Sequence, residues 1–167
     1  MRRTARKNAF SLVELVIVVV IIGMIAAIAV PRISRGAKGA AESSVRGSLA
    51  SLRNAIDLYA AEHGGTFPGS DGDADTFKDQ LLKKTNAGGE TGSDANEHIY
   101  GPYLRGSDLP PLQVGPNKGA TGLVIANTGP AVDEATKTAG WVYNYATGDI
   151  IANTDDEDEA GVGYDTY

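Results

Sequence analysis

The chain has 167 residues, 21 acidic against 15 basic side chains, a formal net charge of -6, two histidines and no cysteine. Beyond one long helix, this length leaves room for a single small head of roughly 100 residues with one modest core. The lack of cysteine excludes disulfides, thiolate zinc sites and cysteine catalysis, and the acidic balance argues against a surface that neutralises nucleic-acid phosphates with Lys and Arg.

The first element is a basic leader, with Arg2, Arg3, Arg6 and Lys7, followed by an apolar run from Phe10 to Val30 and then Pro31. A bilayer span needs about 20 apolar residues at about 1.5 Å each, so the run is long enough to cross. Its one charge is Glu14. A carboxylate there costs on the order of 2.5–3.5 kcal/mol near the bilayer centre and less towards an end, so it calls for a partner. A secretory signal peptide would place its small-x-small cleavage site at Ala27-Ile28-Ala29, but the run is long for such a segment and carries an acid in its first turns. A plain signal anchor with its basic end cytoplasmic satisfies the positive-inside rule and leaves Glu14 without a role.

A third account rests on Lys7-Asn8-Ala9-Phe10-Ser11-Leu12-Val13-Glu14-Leu15-Val16-Ile17, which resembles the processing site of type IV prepilins and of the pseudopilins of type II secretion. The resemblance implies cleavage between Ala9 and Phe10 by a prepilin peptidase, and methylation of the new amino terminus at Phe10. Ala9 stands where that family usually has glycine. The resemblance also implies that Glu14 is needed for subunit docking, and that the span holding Gly23 and Pro31 loosens on assembly. A freed amino terminus at Phe10 is positive and lies at the same end of the helix as Glu14. Opposite charges about 4 Å apart are worth on the order of 4 kcal/mol at an effective dielectric near 20, so pairing between neighbouring chains offsets burial of the acid and fixes an axial stagger.

Beyond Pro31 the helical pattern resumes, so the proline is expected to kink the helix rather than end it. Val45, Leu49, Leu52, Ile56 and Tyr59 form one apolar stripe with Arg46, Ser51, Arg53 and Asp57 off it. His63-Gly64-Gly65 reads as the stop. A second helix is expected over about 76–84, carrying Phe77, Leu81 and Leu82, followed by a polar loop over 88–96 and an extended connection at Pro110-Pro111. The stretches Tyr59 to Pro68 and Gly101 to Leu104 are similar to segments of major pseudopilins.

The last third reads as short strands over 122–126, 140–144 and 149–153, with a turn at Ala146-Thr147-Gly148. They predict a small antiparallel sheet on the long helix, with Leu123, Ile125, Val142 and Ile150 or Ile151 inward. Trp141, Tyr143 and Tyr145 are read mainly as core. Two acidic clusters offer oxygen ligands suited to calcium. One is Asp155, Asp156, Asp158 and Asp165, where the resemblance implies a calcium loop; the other is Asp71, Asp73 and Asp75, for which helix capping at Asp75 competes. His63 and His98 belong to no nucleophile or metal motif, so no catalytic residue is assigned and no enzyme is expected.

The sequence therefore reads as an α+β, pilin-like chain: leader 1–9, membrane and filament-core helix 10–30, amphipathic continuation 31–63 and head 64–167. The resemblance implies a major pseudopilin in a homopolymeric filament, or a type IV pilus subunit for adhesion or motility. Its partners would be the prepilin peptidase, minor pseudopilins and the inner-membrane assembly machinery, with no nucleic acid. It would wait in the bacterial inner membrane with its amino terminus cytoplasmic and its head periplasmic, then enter a periplasmic or cell-surface filament. An uncleaved membrane-anchored binding module is the reading of another class.

Overall fold

The computed structural model describes residues 11–167. The fold is α+β and pilin-like, with one long helix, a short second helix and a three-stranded sheet. Two compact units are distinguished, Met1–Gly39 and Ala40–Tyr167.

Helix α1 runs Leu12–Glu62 and continues through Pro31, as the resumed periodicity predicts. Proline removes one backbone bond, and the amphipathic pattern beyond it provides reason to continue. Within the second unit the predicted stripe is the spine of the core: Val45, Leu49, Leu52, Ile56 and Tyr59 are each at most 2% exposed. Burial of one such side chain contributes about 1.5–3 kcal/mol, more than helix propensity supplies, so the stripe rather than the glycines decides that this stretch is helical. The stop is a six-to-one hydrogen bond from Gly65 N to the Ala60 carbonyl at 2.8 Å, made possible by Gly64 at φ +66°.

Helix α2, Ala74–Leu82, buries Phe77 and Leu81 in the same core. Its cap is Asp73, not Asp75. The Asp73 carboxylate accepts from the amides of Asp75 and Thr76, both at 2.8 Å, because it stands two and three residues before those unpaired donors. Asp75 lies inside the first turn.

The strands are β1 (Gly122–Ala126), β2 (Ala139–Asn144) and β3 (Ile150–Ala152), in the order β1-β2-β3. The expected wholly antiparallel sheet is corrected here: β2 and β3 form an antiparallel hairpin, but β1 and β2 are parallel. Parallel neighbours need a return connection of about a dozen residues, and residues 127–138 provide it without forming a helix or strand. Asn153 fastens that return. Its amide receives the Asp133 N–H at 2.7 Å and donates to the carbonyls of Asp133 and Ala139.

Register sets a second correction. Leu123 and Ile125 stand opposite Trp141 and Tyr143, and Tyr143 opposite Ile150, so these share the core face. Val142 pairs with Val124 and Ile151 on the other face, because side chains alternate along a strand. All six β2 residues are nonetheless buried, as befits a central strand. Trp141 and Tyr143 are fully buried core residues, as expected, and Tyr145 packs at its edge. In the hairpin, Gly148 takes φ +79° with its α-carbon against the Phe67 ring, a position that excludes any side chain.

Candidate functional site

At the amino-terminal end of α1, Ser11 precedes the first helical residue and Glu14 is the third. The Ser11 hydroxyl accepts from the Val13 amide at 3.3 Å, and the Glu14 carboxylate reaches back to the Ser11 amide at 3.0 Å. This is a capping box, with two otherwise unpaired donors satisfied by two side chains. Its sequence signature is Ser-x-x-Glu before an apolar run. Glu14 therefore has a partner within its own helix, and the box also places its negative charge at the favourable end of the helix dipole.

Beyond it, Leu12–Ala29 is long and apolar enough to cross a membrane, and none of it is buried inside the protein. Leu12 is 77% exposed and Val20 49%. Gly23 is in open space, with no atom of the described residues within 4 Å of where a β-carbon would stand, so packing among them does not require glycine there. Its cost, about 0.5–1 kcal/mol relative to alanine in a helix interior, is offset by no contact among the described residues. Ala9 and Phe10 lie outside the described residues, and Pro31 is described through its helical backbone alone.

The four aspartates expected to hold calcium do not share a site. Asp158 is buried and its carboxylate is already engaged: one oxygen accepts the amides of Ala160 (2.7 Å) and Val162 (2.9 Å). The other takes the Tyr167 hydroxyl at 2.6 Å and the Arg46 guanidinium at 3.3 Å. Asp155 and Asp156 face solvent, and Asp165 lies on a short 3-10 turn, Tyr164–Thr166. Calcium requires six to eight oxygens, so this donor set, with one carboxylate occupied by a guanidinium, does not fit the ion. In the second cluster one oxygen of Asp73 caps α2 and one oxygen of Asp71 accepts the Asp73 amide at 3.1 Å. Among the described residues, no three His, Cys, Asp or Glu side chains are grouped as a metal ion needs.

What Asp158 does is close the 156–167 segment onto α1. Arg46 also lies over the Tyr167 ring, 4.0 Å from its centre, and Arg53 donates to the main-chain oxygens of Tyr167 (2.6 Å) and Ile150 (3.0 Å). The Tyr167 hydroxyl, the Val162 and Ala160 amides and the Arg46 charge hold the Asp158 carboxyl below its usual range. Its folded form therefore gives up its proton more readily than the unfolded form. The stabilisation is full above the ordinary aspartate value of about 3.9 and is lost as pH falls below it. Asp158→Asn should lower the unfolding temperature at pH 7 and flatten this acid dependence, as measured by thermal unfolding of the detergent-solubilised chain between pH 7 and 2.

Of the two histidines, His63 is part of the packed interior. His63 is buried, stacked 3.9 Å from the Tyr59 ring, with its ring nitrogens against the Tyr59 and Asn86 carbonyls; His98 is half-buried, its ring against the Asp94 carbonyl at 3.3 Å.

With this geometry in place, residues 4–30 match the family model described as the prokaryotic N-terminal methylation motif, the prepilin-type cleavage and methylation segment. The match takes in the second part of the leader, the capping box and the apolar run. It implies a type IV pilin- or pseudopilin-like subunit processed by a prepilin peptidase, a class that is typically structural rather than enzymatic. Neither a curated protein nor a solved structure matches the chain.

Proposed function

We propose that this protein is the repeating subunit of a type II secretion pseudopilus, cut between Ala9 and Phe10, methylated at Phe10, and assembled through Glu14 into a helical filament. The observation that carries the reading is the methylation motif over residues 4–30, continuous with an exposed apolar helix whose one acid stands at its amino-terminal end. The chain waits in the inner membrane with its head in the periplasm and leaves the bilayer when its helix joins the filament. Gly23 and Pro31 lie along the stretch that loosens as it does so. A cysteine-free, acidic head favours the secretion filament over a surface pilus, whose subunits commonly staple their carboxy-terminal region with a disulfide.

The test is the intact mass of the protein from native membranes, with a fragment spectrum of its amino terminus. The expected chain begins at N-methylated Phe10. A chain beginning at Met1 would overturn the reading in favour of a plain anchor, and one beginning at Val30 in favour of a signal peptide.

A further inference from the structure

On the head, a groove of about 830 Å³ runs between α1 and the segment 103–111. It exists because the α1 wall is built of Ser44, Gly47, Ser48 and Ser51, while Arg105 and Pro110 stand across from it. The charges in this groove are unequal in what they have left to offer. Asp108 is neutralised by Lys78 at 2.9 Å and also accepts the Thr121 hydroxyl at 2.6 Å. Arg105 is exposed and makes no ion pair or hydrogen bond among the described residues. The groove therefore presents one unspent positive charge on a chain of net charge -6.

The complementary surface is the turn at 155–159. Asp155, Asp156, Glu157 and Glu159 are exposed, and none is ion-paired among the described residues. The turn is already ordered by the bonds to Asp158 and by the Glu159 amide donating to Glu42 at 3.2 Å, so docking it costs little further ordering. It cannot enter the groove of its own chain. Glu42 and Arg46, which hold it, lie on nearly the opposite side of α1 from Ser44, Gly47, Ser48 and Ser51 at about 100° per residue.

We propose that the groove receives the acidic turn 155–159 of a second copy of this chain, Arg105 meeting its free carboxylates. The inference rests on the filament reading and deepens it. Because the two surfaces differ and lie on opposite flanks of one helix, the contact is heterologous: each copy offers a turn to one neighbour and a groove to another. Such a contact propagates as an open helical array rather than closing into a dimer. Like-charged acidic heads gain from it a fixed register, and the charge match favours encounter at low salt.

The absence of native cysteine makes the test direct. Full-length chain carrying Ser51→Cys with Asp156→Cys, expressed in its own membranes and oxidised, should give a ladder of covalent dimers, trimers and longer species. Ser51→Cys alone should give none. Adding Arg105→Glu should lower ladder yield about tenfold, and adding Glu157→Lys to that variant should restore it. Several results would overturn the proposal: no ladder although filaments form, dimers from Ser51→Cys alone, or an adduct with a different protein. The amino-terminal mass is read on the same samples. An unprocessed Phe10 without filaments refutes the filament reading itself, whereas processed filaments without a ladder refute only the groove contact.

Discussion

Alanine at position 14 should leave a chain that is cut before Phe10 and held in the membrane but is absent from filaments. Two effects of the carboxylate separate here. The first is local: it accepts the Ser11 amide at 3.0 Å and completes the cap of α1. Losing a cap of this kind costs about 0.5–2 kcal/mol, which a long apolar helix in a bilayer tolerates. The second is the unit charge, which an amino terminus at Phe10 of a neighbouring chain can meet. Such a pair at about 4 Å and an effective dielectric near 20 is worth about 4 kcal/mol, a hundred- to thousandfold in docking. Glu14→Gln separates the two, because it keeps an acceptor for Ser11 and removes the charge. Glutamine should match alanine in failing to assemble, as read by the ratio of sheared filament to membrane-retained subunit on immunoblots. If glutamine assembles normally, the cap alone is what Glu14 provides.

The second large effect is in the head. Trp141→Ala should destabilise it by about 3–5 kcal/mol, the range for removing a fully buried large side chain. Trp141 is 0% exposed, lies opposite Leu123 on one neighbour strand and Ala152 on the other, and donates its indole N–H to the Pro110 carbonyl at 2.8 Å. Truncation therefore opens a cavity at the centre of the sheet and strands a carbonyl on the 103–111 segment. Against a typical total of about 5–15 kcal/mol the loss is a large fraction. Trp141→Phe should recover most of the packing and lose about 1 kcal/mol with the hydrogen bond. Because Trp141 is the single tryptophan, denaturant unfolding of both variants is followed by circular dichroism rather than by its fluorescence.

How much of this was legible varies with the range of the interactions. The stripe from Val45 to Tyr59 could be read because helical periodicity is local and every member of it is buried. The Gly64-Gly65 stop and the three strand positions were read for the same reason. The Ser11–Glu14 cap was equally local and could have been read from its spacing. The choice of Asp73 over Asp75 as cap is settled by which residue has extended backbone, and Asp73 does, at φ -105° and ψ 128°. The acidic carboxy-terminal run shows a deeper limit. Composition offered hard oxygen ligands, but whether a carboxylate is free depends on what folds against it. Arg46, more than a hundred residues earlier, claims Asp158.

The sequence by itself determined the long helix, its membrane-length apolar half, its processing motif and the face it turns to the core, all set by patterns within a few turns of chain. The tertiary structure alone decided the sheet's parallel pair, the partner of Asp158 and the opposite placement of groove and acidic turn. Each of these depends on bringing distant residues together, as Asn153 does for Asp133 and Ala139. Such closures are chosen by the summed packing of the core and leave no periodic trace along the chain.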